Sequence, residues 1–190
     1  MIDEFWNWFS DNVAVLSPEK LTREIVTELD RRVRLLDIPA WEIGPFDDKG
    51  EKVFFALSPG GYSDFYERTQ RLVAGAPSHD GWVFLPAKPP KNWNRQFKTS
   101  GSVPVDARKW EFMVYRFDDG FVDIVLVKHN LSGFDDKKMS ELAYIVVESG
   151  LGEAAIMECV NAIDVEYVDP STVEGMTIPI GDLRTTVIRS

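Results

Sequence analysis

Three glutamates, Glu42, Glu111 and Glu153, are the side chains through which this sequence could build a carboxylate-based hydrolytic site. Two carboxyl groups in unlike surroundings can divide the work, one held protonated as an acid and the other ionised as a base. Glu42 and Glu111 each follow a tryptophan and are flanked by apolar residues, a pattern that favours the exposed face or rim of a sheet. Glu153 follows Gly150 and Gly152, a setting that suits a bond to a neighbouring turn as well as it suits catalysis. The other reactive groups, His79, His129 and Cys159, lie far apart in sequence. A zinc site needs three or four such ligands, and no ligand spacing of that kind occurs, so no metal or other cofactor is expected. Glu158 beside Cys159 disfavours the thiolate, so the thiol is not expected to act as a nucleophile. Ser58-Pro59-Gly60-Gly61 falls between a strand-like and a helix-like run, where backbone N–H groups can hold a phosphate. It has neither the lysine nor the glycine spacing of a phosphate-binding loop, and a turn accounts for it.

A second constellation is electrostatic. From Gly81 to Lys109 there are six bases against one acid, and Lys88, Lys91, Arg95 and Lys98 interleave with Trp93 and Phe97. Cations alternating with aromatic rings suit single-stranded nucleic acid or an acidic peptide, through charge and stacking. The competing expectation is that these cations are solvated or fold back onto an acidic body. The whole chain carries 31 acids against 21 bases, a net charge of −10. Such a surface repels duplex nucleic acid and anionic membranes and attracts a basic protein.

The chain has 190 residues, 44% of them hydrophobic and 12% aromatic, enough for a substantial core. No apolar run approaches the length of a membrane-spanning helix. The N-terminus carries acid where a secretory leader needs base, and the single cysteine excludes an internal disulfide. A cytoplasmic protein is expected.

The elements that must position these groups follow from one pattern met twice. Trp41-Glu42 opens a strand-like run that turns at Asp47-Asp48-Lys49-Gly50 into Val53-Phe54-Phe55-Ala56-Leu57. Trp110-Glu111 does the same, turning at Asp118-Asp119-Gly120 into the apolar run from Phe121 to Val127. Acidic turns ending in glycine favour hairpins. In each case an amphipathic helix and a further strand-like stretch follow. The first helix carries Tyr62, Phe65, Thr69, Leu72 and Val73 inward. The second is capped at Asp135 or Asp136, presents Met139, Leu142, Ala143 and Val146, and stops at Gly150. Strand-like stretches are expected over 154–168, and a last strand around 176–188.

The predicted fold is therefore α+β: two ββαβ-like halves, read as a pseudo-duplication, with helices packed on antiparallel sheet. A helical segment precedes them. It comprises a short aromatic helix with Phe5, Trp8 and Phe9 on one face and Trp6 at its margin. A longer helix follows, capped by Ser17, with Leu21, Ile25, Leu29, Val33 and Leu36 as its stripe and Pro39 as its stop. The expected division is 1–85, a Pro/Gly/Ser-rich basic linker at 86–107, and 108–190.

Several short motifs together resemble an uncharacterised bacterial family of soluble cytoplasmic proteins. They are Phe5-Trp6-x-Trp8-Phe9, Trp41-Glu42-Ile43, Leu57-Ser58-Pro59-Gly60-Gly61, Leu72-Val73-x-x-Ala76-Pro77, Gly81-Trp82 and Leu151-Gly152-Glu153. The resemblance spans nearly the whole chain and carries over no activity, cofactor or catalytic residue. The residues favour a non-catalytic module that binds another protein, of the immunity or inhibitor type. The alternatives are an enzyme with a carboxylate site between the halves, and a weak single-stranded nucleic-acid binder working through the basic stretch.

Overall fold

The computed structural model describes residues 1–47, 50–99, 103–127, 134–168, 172 and 175–188. The chain divides into two units, Met1–Pro89 and Pro90–Ser190.

The first unit opens with helix α1 (Ile2–Asn12), whose first turn carries Asp3 and Glu4 at the positive end of the helix dipole. Its buried face is Phe5, Trp6 and Phe9, while Trp8 is half-buried. This reverses the expected places of the two tryptophans. A buried indole needs an acceptor for its N–H, and Trp6 Nε1 donates to the Leu72 carbonyl at 3.1 Å. Trp8 at the margin instead takes the Arg32 guanidinium, 4.7 Å from its ring centre.

Helix α2 (Arg23–Leu35) starts later than its sequence suggests. Ser17 to Lys20 form a turn closed by the Lys20 N–H on the Ser17 carbonyl at 2.9 Å, and Thr22 caps the helix by accepting the Ile25 N–H. The turn lets Leu16 be fully buried. Pro39 is not the stop either. Asp37 takes φ +57°, its N–H bonds the Arg34 carbonyl and the Ile38 N–H bonds that of Val33, the paired bonds of a Schellman end.

Strands β1 (Ala40–Pro45) and β2 (Val53–Ser58) form an antiparallel hairpin with Trp41 opposite Leu57. Gly44 faces Phe54 so closely that a Cβ there would stand 2.8 Å from the Phe54 ring. Helix α3 (Ser63–Ala74) buries Thr69 and Leu72, while Tyr62, expected inward, is the exposed residue before its first turn. Strand β3 (Trp82–Leu85) then pairs with β2 in parallel, giving the order β1-β2-β3. The core is aromatic. The Phe9 ring lies 5.0 Å from Phe55 and 5.3 Å from both Trp82 and Phe84.

The second unit begins inside the stretch expected to be a linker. Strands β4 (Gln96–Lys98) and β5 (Pro104–Asp106) pair antiparallel, and Val105 and Ala107 are buried in the unit's core. Residues 86–107 are therefore not a linker throughout. Strands β6 (Glu111–Arg116) and β7 (Val122–Val127) form the second hairpin. Helix α4 (Asp136–Leu151) is capped by Asp135, which accepts the Lys138 N–H at 2.8 Å, and it buries Met139, Leu142, Ala143 and Val146 as its stripe predicts.

The helix runs through Gly150 and breaks at Gly152, whose φ of +86° lies where glycine is favoured. Helix α5 (Glu153–Cys159) occupies the start of the stretch expected to be strand, so β8 is confined to Val160–Glu166. The last expected strand shrinks to β9 (Ile178–Pro179), because the Asp182 N–H turns back onto the Pro179 carbonyl and helix α6 (Leu183–Val187) begins. The sheet order is β8-β7-β6-β9.

The fold is α+β, with six helices and nine strands in three sheets among the described residues. Both larger sheets are mixed rather than purely antiparallel, since β8 also returns parallel to β7. A helical crossover carries the chain back to the end it left, and this sets the parallel direction. Each unit thus repeats one order: hairpin, helix, and a strand added beside the second hairpin strand.

Candidate functional site

Packing of its two rings decides the fate of the basic stretch. Trp93 and Phe97 stand 5.4 Å apart between ring centres and pack against the second unit's core. Phe97 sits opposite Val105 in the β4–β5 pair, while Lys98 on the next position is exposed. A base-stacking platform must display its ring faces; these rings are half-buried against apolar side chains. Arg95 is also half-buried, holds φ +59° and accepts the Ala107 N–H on its carbonyl at 2.9 Å. Lys88 is half-buried in the first unit, and Lys91 is exposed in the second. An open depression of about 440 Å³ covers the hairpin, lined by Gln96, Phe97, Lys98, Pro104, Val105 and Asp106. Asp106 there is held far below the usual carboxylate range by hydrogen bonds from Arg108, first through its guanidinium and then through its backbone N–H.

The three carboxylates occupy different elements. Glu42 is half-buried on β1 opposite Ala56 in the first unit. In the second unit Glu111 opens β6 opposite Pro179, and Glu153 is fully buried in the first turn of α5, where the helix dipole favours negative charge.

One polar pair had no sequence signal, since its members are 69 positions apart. Ser10 Oγ lies 2.9 Å from His79 Nε2 and 2.8 Å from the Trp6 carbonyl. A hydroxyl has one proton. Given to the Trp6 carbonyl, it leaves Oγ to accept from the imidazole, which ties α1 to the turn before β3 and does not activate the serine. Cys159 donates to the Ala155 carbonyl, and burial first, then the neighbouring Glu158, pushes its thiol pKa up. In the loop after β2, Gly60 and Gly61 take φ +66° and +81°, and the Gly60 N–H is bound by Ser58 Oγ. His129 lies outside the described residues. Among the described residues no cluster of His, Cys, Asp or Glu is placed to hold a metal ion, and no helix is long and apolar enough to cross a membrane.

The hairpin ends carry a further feature. At the β6–β7 end Tyr115, Phe117 and Phe121 are 48%, 46% and 38% exposed beside the exposed Asp118 and Asp119. At the β1–β2 end Phe46, just before Asp47, is 45% exposed. The signal was present in the sequence as Phe46-Asp47-Asp48 and Phe117-Asp118-Asp119, but phenylalanine beside a strand reads as core until its exposure is known. Comparison of the chain with protein-family models, curated proteins and solved structures gave no match.

Proposed function

We propose that this chain is a non-catalytic protein-binding module of a bacterial cytoplasm, of the inhibitor or immunity type, whose partner presents a basic surface. The observation that supports this reading is the surplus of acid, 31 acids against 21 bases, with several of those bases already held by neighbouring acids. Arg31 and Arg32 both hold Glu28, at 2.7 and 2.6 Å. Arg34 holds Asp30, Arg68 holds Asp37, Arg108 holds Asp106 and Lys138 holds Glu141, all at 2.8 Å or less. Pairing neutralises the acid together with its base, so the long-range field is still set by the surplus of acid, net −10. Such a field attracts a cationic partner and raises the encounter rate more than the final affinity.

Affinity capture from lysate of the cells that make the chain, at low and at high salt, tests the reading. The expected result is a stoichiometric basic protein recovered at low salt and released at high salt. An acidic partner, or the absence of any stoichiometric protein, overturns it.

A further inference from the structure

The second unit's sheet has two unlike faces. Alternation along β6 and β7 places Phe112, Val122, Ile124 and Leu126 toward the core that contains α4. The other face carries Met113 and Tyr115 on β6 and Asp123, Val125 and Val127 on β7, with Phe117 and Phe121 continuing it into the turn. Met113, Val125 and Val127 are buried, whereas the three aromatic residues at the turn end keep a large part of their surface in water. Rings left exposed together are unusual, because aromatic side chains are the ones whose burial is most favourable.

The end that displays them is held in shape. The Phe117 N–H bonds the Phe121 carbonyl at 3.0 Å, the Gly120 N–H bonds the Phe117 carbonyl at 3.1 Å, and the Phe121 N–H bonds Asp119 Oδ1 at 3.0 Å. A preformed loop loses little freedom on binding. The charge around it is negative: Asp118 and Asp119 flank the rings and Asp123 lies on the same face, fixed by Asn161 Nδ2 at 2.9 Å. Arg116, the base between Tyr115 and Phe117, alternates to the opposite face and donates to the Thr186 carbonyl.

We propose that the end of the β6–β7 hairpin is a docking hook, in which Tyr115, Phe117 and Phe121 enter an apolar socket on a partner protein whose rim carries lysine and arginine. This rests on the protein-binding reading above and names the surface that does the binding. Charge complementarity selects the occupant. A second copy brought face to face would set Asp118 and Asp119 against themselves, and nucleic acid or an anionic membrane would meet the same repulsion. Aromatic anchors ringed by charge are the pattern that dominates binding energy at protein interfaces. The first hairpin repeats the device in part. Phe46 is exposed, its N–H is fixed by the Lys52 carbonyl at 2.8 Å, and Asp47 Oδ1 follows it, accepting the Glu51 N–H at 2.9 Å.

The test uses the full chain, amide NMR and three short synthetic peptides: alternating leucine and lysine, alternating serine and lysine, and alternating leucine and glutamate. The leucine–lysine peptide is expected to bind and to shift residues 115–123. The Phe117→Ala and Tyr115→Ala variants are expected to weaken binding by about tenfold or more; because the Tyr115 hydroxyl donates to the buried Met113 Sδ at 3.4 Å, Phe117→Ala is the cleaner of the two. Asp118→Asn with Asp119→Asn is expected to reduce its salt dependence. Perturbations confined elsewhere, an unchanged Kd in the ring variants, or equally tight serine–lysine binding would overturn the hook while leaving a basic partner in place. Failure of both cationic peptides, or tighter binding of the glutamate peptide, would overturn the hook and the reading it rests on. Concentration-dependent dimers abolished by Phe117→Ala would assign the surface to a second copy instead.

Discussion

Trp6 and Trp8 lie two positions apart on α1, yet only Trp6 combines burial with a committed indole N–H. Replacing Trp6 with phenylalanine removes one donor from the Leu72 carbonyl, which keeps the Gly75 N–H at 3.2 Å, and opens space in the aromatic core. The expected loss is about 1–3 kcal/mol in urea unfolding, against less than about 1 kcal/mol for Trp8→Phe, which trims a half-buried ring at the margin of the same core and weakens its contact with Arg32. The sequence alone ranks the two the other way, because helical spacing groups Phe5, Trp8 and Phe9 equally well and says nothing about where an acceptor waits. Glu28 supports a prediction about pH. The hydrogen bond from Arg31, joined by Arg32 and opposed by desolvation, lowers its pKa from 4.5 to about 2. A carboxylate depressed in the folded state stabilises above its unfolded value and loses that contribution as the pH falls through the folded one. The stability difference between the native chain and Glu28→Gln is therefore expected at neutral pH and should vanish between about pH 4.5 and pH 2. Because the group is exposed, the difference is small and best read by parallel denaturant titrations.

At the scale of the element, helix starts and stops were the least legible features. Ser17-Pro18-Glu19 satisfies the same capping chemistry as Thr22, and the stripe from Leu21 to Leu36 does not say which begins the helix. Burial of Leu16 decides it, and that depends on the rest of the unit. Thr22→Ala is expected to cost about 1 kcal/mol, as a lost cap does. Ser17→Ala should leave stability unchanged or raise it, because Ser17 Oγ is buried with no hydrogen-bond partner. Thermal unfolding of the two variants side by side checks the pair, and the opposite order would restore Ser17 as the cap. Gly150 and Gly152 pose the same ambiguity at the end of α4, where only Gly152 takes the positive φ that breaks the helix. In the basic stretch, composition located Lys88, Lys91, Trp93, Arg95, Phe97 and Lys98 but could not say that Trp93 and Phe97 would both pack against the second unit's core.

For the whole molecule, the doubled Trp-Glu pattern and its acidic turns were enough to read the order of hairpin, helix and strand in both units. They were not enough to set strand direction at the third position, which the helical crossover determines. Nor did they reveal the Ser10–His79 contact, since no local pattern links residues so distant in the chain. The parallel pairing of β3 with β2 and of β8 with β7 also bears on how the molecule assembles. Each hairpin joins near neighbours along the chain, but the third strand can dock only after a long loop has been closed, an entropic cost met before any contact rewards it. Destabilising changes in Val83 or Ile163 are thus expected mainly to hasten unfolding, and changes at the hairpin turns to slow folding, as rate measurements across denaturant would show. In each unit the strand that docks after the hairpin is then an early one to leave, and the life of the native state depends on how firmly it is held.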